Sequence, residues 1–277
     1  MLKQSRSRRP EVVGLIPAAG HSRRISPIPC SKEIYPIGFR RMPGTKEFRP
    51  KVVCHYLIDR MRVAGITNIY VVLRQGKWDI PGYLGDGTQL GVHLAYSVME
   101  SSPSPPFTAD HAYPFVRDAV VAFGFPDIIF HTEDAYERLL VHREKTDADL
   151  VLAVFPVDKT FRDDRVSLDR DGRVRSFVLN ALGAHHPHTW LFAVWGPRFT
   201  EYLHRHVADA RSRSQTRSRK TTTHASGELT FGPIIKAAMN KGLNVHGVLF
   251  QEHSYIDIGT PANMVEALDR YGSLNEW

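Results

Sequence analysis

Val12-Val13-Gly14-Leu15-Ile16-Pro17-Ala18-Ala19-Gly20-His21-Ser22-Arg23-Arg24 is the stretch from which the fold is read. Its apolar run, Val12 to Pro17, has the length and composition of a buried strand. It ends in Ala-Ala-Gly, and small residues straight after a strand let the backbone approach a ligand and offer N–H groups to phosphate. Working outward, Val53, Leu57, Met61 and Ala64 fall at helical spacing within Val52 to Ala64, with Gly65 where a helix C-cap belongs. Strands are expected at Asn68–Leu73, Val92–Val98, Ala119–Phe123, Asp149–Val157, Thr189–Trp195, Leu243–Leu249 and Ser254–Ile258. Helices are expected at Thr132–Lys145, Pro197–Val207, Phe231–Asn240 and Pro261–Tyr271, and a hairpin over Arg165–Leu179 turning at Asp171-Gly172. Strands alternating with helices predict an α/β chain: a Rossmann-like three-layer αβα sandwich, mainly parallel, with a small antiparallel insertion. No repeat and no interdomain linker interrupts the pattern, so one domain over residues 11–277 is expected.

Composition narrows the classes further. The chain has 277 residues, 42% of them apolar and 23% charged, which excludes a disordered chain, a collagen-like fibre and a disulfide-stapled miniprotein. The best apolar stretch, Ala119 to Phe130, is broken by Gly124, Pro126 and Asp127, far short of the roughly 20 residues a membrane helix requires. Glu11 and Pro17 interrupt the only candidate leader, and Cys30 and Cys54 are too few for a disulfide framework or a zinc site; a cytoplasmic location is expected. The formal charge is +7, but residues 1–9 (Lys3, Arg6, Arg8, Arg9) and 209–224 (five basic residues against Asp209) contribute about +4 each. The remainder is therefore nearly neutral. The two segments lack apolar periodicity, and residues 1–10 are expected to be a flexible basic tail and 209–224 a mobile basic loop. Contact of these segments with nucleic acid is a subordinate reading, since clustered Arg and Lys suffice for phosphate attraction.

Three elements carry chemistry. Arg24 and Lys32, just past the small-residue turn, would put two cations on one polyphosphate, Arg as a fork and Lys as a point charge. In α/β sheets ligands sit beyond the carboxyl ends of the strands. Asp127, in Phe123-Gly124-Phe125-Pro126-Asp127, and Asp257, in Tyr255-Ile256-Asp257-Ile258-Gly259-Thr260-Pro261, both stand at strand ends. Such a pair can share Mg²⁺, which takes few carboxylates and completes its shell with substrate oxygens.

Ile16-Pro17-Ala18-Ala19-Gly20…Arg24…Lys32-Glu33 resembles the signature loop of the sugar-1-phosphate nucleotidylyltransferases, the nucleotide-sugar pyrophosphorylases. Tyr83-Leu84-Gly85-Asp86-Gly87-Thr88-Gln89-Leu90-Gly91-Val92 is similar to a segment of their thymidylyl- and uridylyltransferase branches. With Asp127 and the Asp257-Ile-Gly-Thr-Pro element, the resemblance spans residues 12 to 270 in order. It implies Mg²⁺-dependent transfer of a nucleotidyl group from a nucleoside triphosphate to a phosphorylated small-molecule acceptor, with release of pyrophosphate. By the resemblance, Arg24 grips the triphosphate, Lys32 touches phosphate at the reacting centre, and Asp127 and Asp257 hold the metal. Ile16, Ala18, Ala19, Gly20, His21 and Ser22 then bind the nucleotide. No membrane partner is implied, and a homo-oligomer is compatible with the pattern.

Departures cluster on the acceptor side. The Arg24–Lys32 segment is about two residues shorter than in those branches. The position of a base-reading Gln is Met99 or Glu100, so Met99 is the candidate at the base. A Glu-Lys-Pro element is replaced by Val178-Leu179-Asn180-Ala181, a small residue by Trp190, and a Gly by Asp164 or Arg165. Glu228 does match an acidic position. Asn180, Trp190 and Glu228 are thus the candidate acceptor residues, and the acceptor is expected to be unusual: a modified sugar phosphate, a cyclitol phosphate, or a smaller phosphate or phosphonate. The rival reading is a non-catalytic relative that binds nucleotide or nucleotide-sugar and regulates a partner.

Overall fold

A computed structural model describes residues 10–41, 44–157, 163–181, 187–218, 229–251 and 255–272. The basic tail before Pro10 and the acceptor candidate Glu228 lie outside the described residues. In chain order the elements are β1 (Val12–Pro17), β2 (Pro36–Arg41), β3 (Phe48–Val52), α1 (Val53–Val63), β4 (Asn68–Arg74), α2 (Asp79–Leu84) and β5 (His93–Met99). Then follow α3 (Pro105–Asp110), α4 (Tyr113–Val116), β6 (Val120–Gly124), β7 (Ile128–Phe130), α5 (Ala135–Thr146), β8 (Leu150–Pro156), β9 (Asp163–Leu168), β10 (Val174–Ala181) and β11 (His188–Trp195). The chain continues through α6 (Pro197–Ser218), α7 (Phe231–Asn240), β12 (Val245–Leu249), β13 (Tyr255–Asp257) and α8 (Pro261–Tyr271).

The main sheet is mixed and mostly parallel. β5, β4, β1 and β6 run parallel in that order, β11 lies antiparallel between β6 and β8, and β12 joins β8 in parallel. The β9–β10 hairpin attaches to the start of β11 through His188 and Val166. Side-chain alternation along the strands divides the apolar residues between two faces. Ile16, Val120 and Ala122 join Leu57 and Met61 of α1 and Tyr136 and Leu139 of α5 in one cluster. Val13, Leu15, Val121 and Phe123 join Phe107, Phe199, Leu203 and Phe231, from α3, α6 and α7, in another. Helices thus cover both faces, and the three-layer α/β arrangement is the expected one.

A third, smaller cluster lies outside the sheet. There α8 (Ala267, Tyr271) packs on Ile37, Tyr56, Ile129 and Ile256, and it fastens the two-stranded β7–β13 ladder to the body.

Gly38–Pro50 contains most of the antiparallel β2–β3 ladder, whose Arg40 pairs with Arg49 and Arg41 with Phe48. One expectation requires correction. The stretch 209–224, read as a mobile loop, begins as helix: α6 continues to Ser218, and only residues 219–224 lie outside the described residues. Arg211 is engaged there, its guanidinium 3.4 Å from the buried Asp110 carboxylate and over the Phe107 ring. No described helix is long and apolar enough to cross a membrane.

Gly124 ends β6 where α1 and α5 press against it. A Cβ there would lie 2.5 Å from both Leu57 Cδ1 and Tyr136 Oη. We predict that Gly124→Ala destabilises the fold by about 1–3 kcal/mol through overpacking, read as a lowered denaturation midpoint in urea with an unchanged slope. An unchanged midpoint would overturn this account of the position.

Candidate active site

The turn after β1 is held open by its neighbours. The Ala18 amide donates to Val72 O of β4 at 2.8 Å, and Ala18 and Ala19 are buried under the turn. Gly20 and His21 are exposed, and Ser22 adopts the left-handed φ of +53° that reverses the chain. Slight burial, then Arg74, Arg23 and Lys77, hold the His21 imidazole below its usual pKa. Those three cations surround the turn, though Lys77 is itself paired with Glu33.

Beneath the turn lies an ion pair that the sequence reading missed. Lys77 Nζ donates to Glu33 Oε1 at 2.6 Å and to Ala18 O at 2.8 Å, with Lys77 only 3% and Glu33 2% exposed. Burial pulls the Lys77 ammonium below its usual pKa, and Glu33 opposes that pull. Two residues before Glu33, Ser31 donates through its amide (2.6 Å) and hydroxyl (2.9 Å) to the Asp79 carboxylate at the start of α2. Lys32 is thereby fixed between two anchored neighbours. Gln75-Gly76-Lys77-Trp78-Asp79 reads as a solvated turn, so nothing local signals this role.

Lys32 reaches across to the opposite side of the rim, where its ammonium is hydrogen-bonded to Asp127 Oδ2. The two side chains are 14% and 15% exposed. Burial alone would lower the Lys32 pKa, but Asp127, with Glu33 and Asp257, raises it on balance. Asp127 and Asp257 are brought together by backbone pairing: Asp257 is opposite Ile128 in the β7–β13 ladder, and the Ile258 amide donates to Asp127 O at 3.0 Å. Burial and the Asp127 charge raise the Asp257 pKa, while the Gly259 amide (2.8 Å to Oδ1), Lys32 and Arg24 pull it back. The Arg24 guanidinium completes the cluster. A Cβ on Gly259 would lie 2.5 Å from Arg24 Nη2 and 2.8 Å from Asp257 Oδ1, so glycine keeps that approach open.

Four expected residues from chain positions 24 to 257 therefore meet at one rim, beside the expected nucleotide turn. Their donor set fits a hard divalent cation held mainly by its other ligands: two neighbouring carboxylates already attract an ammonium, and no group of three or more His, Cys, Asp or Glu side chains gathers among the described residues. Met99 is buried at the end of β5, its carbonyl accepting the Gln75 amide at 2.9 Å, so the exposed Gln75 also stands at this end. Asn180 and Trp190 lie instead on the far flank, beside Asp164 and Phe125.

This fold has counterparts among solved structures. The chain is similar to a putative glucose-1-phosphate thymidylyltransferase from Bacillus anthracis in complex with a sucrose, with a TM-score of 0.74 at 16% identity over 95% of this chain and 96% of that one. It is also similar to an apo UDP-glucose pyrophosphorylase, with a TM-score of 0.70 at 14% identity over 95% and 98%. The fold is therefore of the sugar-1-phosphate nucleotidylyltransferase type. The sequence matches no family model and no curated protein.

Removing one partner of a buried ion pair leaves the other charge without compensation in a low dielectric. Lys77→Met is expected to destabilise the protein by roughly 3–5 kcal/mol, and the double variant Lys77→Met/Glu33→Leu to recover most of that loss. Equal losses for single and double variants in equilibrium unfolding would show that the pair does not brace the turn.

Proposed function

We propose that the chain is a nucleotidylyltransferase, transferring a nucleoside monophosphate from a nucleoside triphosphate to a phosphorylated small-molecule acceptor. The observation that carries this reading is the convergence of Arg24, Lys32, Asp127 and Asp257 beside the small-residue turn after β1. In the reaction an acceptor phosphate oxygen forms a bond to the α-phosphorus. The bond from that phosphorus to the bridging oxygen breaks, and pyrophosphate leaves with the electron pair. No covalent enzyme intermediate is required, so the work of the side chains is alignment and neutralisation of charge.

In this reading the backbone of Ala18–Ser22 holds the nucleotide, with Ile16 buried beneath it and Met99 and Gln75 at the base end. Arg24 grips the β- and γ-phosphates and steadies the leaving pyrophosphate. Lys32, already held at the centre by Asp127, transfers its ammonium to phosphate oxygens when substrate enters. Asp127 and Asp257 would hold Mg²⁺, which would supply charge neutralisation for the triphosphate oxygens. The anchors Asp79 and Lys77–Glu33 keep Lys32 in place while its partner changes. The fold's solved neighbours are named for sugar-phosphate nucleotidyl transfer, which supports the class of reaction.

The test is pyrophosphate release with Mg²⁺, four nucleoside triphosphates and a panel of phosphorylated acceptors. Release that requires one triphosphate and one acceptor is expected, lost on chelation of the metal. Asp127→Asn should lower turnover by about 10²–10³-fold with the fold intact by circular dichroism, the scale of losing a charge-stabilising group. Wild-type-like turnover in that variant would remove Asp127 from the mechanism. Tight nucleotide binding without turnover across the panel would favour the non-catalytic relative.

A further inference from the structure

The rim has two flanks, and they differ in kind. Beside β1 and β4 it is cationic, with Arg23, Arg24, Arg74 and Lys77 around the turn. Beside β11 it is aromatic. Phe192 pairs with Gly124, and Trp190 lies before it on β11, past an irregularity in the register, with its ring against Phe125, two residues before Asp127. There Trp190, Phe125 and Phe231 meet in a triangle, with ring centroids 6.2 Å (Phe125–Trp190), 6.4 Å (Phe125–Phe231) and 6.0 Å (Trp190–Phe231) apart. Phe231 is buried, but Phe125 and Trp190 are only half-buried and keep part of their surface open at the rim.

A carboxylate closes this flank. Asp164 lies against the Cα of Gly232, the residue after Phe231, where a Cβ would also meet Leu179 Cδ2 at 2.8 Å. The Asn180 amide donates to Asp164 Oδ1 at 3.1 Å, with Asn180 in a left-handed conformation (φ +47°), and Thr189 Oγ1 donates to Asp164 O at 2.9 Å. Arg165 follows Asp164 along β9, so its side chain points to the opposite face of the hairpin. Burial raises the Asp164 pKa and the Asn180 amide pulls it back, so a cation brought alongside would favour the ionised form. Aromatic faces are negative at their centres, and a desolvated ring next to a carboxylate attracts a cation.

Resting on the transferase reading above, we infer that the acceptor is a compact phosphate monoester carrying an ammonium group. Its phosphate meets Lys32 and Arg24 at the reacting centre, and its ammonium lies on Phe125 and Trp190 with Asp164 behind. A ring of hydroxyls would instead call for a ladder of polar side chains. Among the described residues, this flank offers Asp164 and Asn180 beside two half-buried rings and Leu179.

The experiment compares 2-(trimethylammonio)ethyl phosphate with its uncharged isostere 3,3-dimethylbutyl phosphate and with a hexose 1-phosphate, each with four nucleoside triphosphates and Mg²⁺. The cationic acceptor is expected to exceed the isostere in kcat/KM by at least about tenfold, the scale of a desolvated cation–π contact. Trp190→Leu should lower kcat/KM for the cationic acceptor about tenfold more than for the isostere. Asp164→Asn, nearly the same shape, should narrow the same ratio and carries the test where Trp190→Leu does not fold. Equal use of the two isosteres, or preference for the hexose 1-phosphate, would overturn this inference and leave the transferase reading standing. No turnover with any acceptor and any triphosphate would overturn both.

Discussion

Asp127 and Asp257 repel each other, and the backbone gives them no way to separate. One precedes β7 and the other ends β13, and the ladder between those strands sets their spacing. Burial and, after it, the Asp127 charge raise the Asp257 carboxyl above its usual pKa. Two like charges persist in such a place only with cations against them. Lys32 supplies one directly and Arg24 another across Gly259. The loop between β1 and β2 is therefore a counter-charge delivered to a fixed pair of carboxylates. Its anchors, Ser31 on Asp79 and Glu33 on Lys77, are what hold the delivery in register. A divalent cation entering with a triphosphate would take over the same task, freeing Lys32 for phosphate.

How much of this could be read beforehand depends on whether the deciding interaction is local. The run Val12–Pro17 with its small-residue turn, the helical stripe of α1 and the strand AVVAF of β6 carry their own periodicity, and all appear where expected. The β2–β3 ladder does not. β3 opens on the exposed Phe48, Arg49 and Pro50, and Arg, Lys and Pro break any apolar alternation, so the strand pair declares itself through cross-strand pairing and not through a local pattern. The far half of α6 is similar: Arg- and Ser-rich, with too little apolar stripe to mark a helix, yet tied back through Arg211 to a buried aspartate donated by α3. Lys77 is the sharpest case. Its burial follows from Glu33, 44 residues away, and from Ala18 O, and neither can be inferred from its neighbours.

The same distinction governs the rim itself. Arg24, Lys32, Asp127 and Asp257 could be nominated because the motif resemblance orders them, and the structure gathers them at one place. That Asp127 lies past the main sheet, just before a ladder only three residues long, was not legible, because a three-residue strand has no periodicity of its own. Trp190 and Asn180 stood out only as departures. Their partners Phe125 and Asp164 emerge from topology, since the antiparallel placement of β11 decides which side chains share the flank.

That placement also separates two kinds of specificity. β1 and β4 end at the rim, so the flank beyond them is built from turns, rich in backbone N–H groups and indifferent to most side-chain changes. β11 runs the other way and begins there, so its flank is built from side chains within strands: Trp190 from β11, Asp164 and Leu179 from the hairpin, and Phe125 just past β6. Those side chains meet on one flank, where each can change without moving the turn that would hold the triphosphate. Under the proposed transfer, phosphate handling is thus a property of the backbone and of four charged residues. Acceptor choice is a property of a few replaceable strand residues. A chain can therefore keep the reaction of its fold while meeting a different acceptor, and the concentration of departures around Asp164, Asn180 and Trp190 is the pattern that such a division produces.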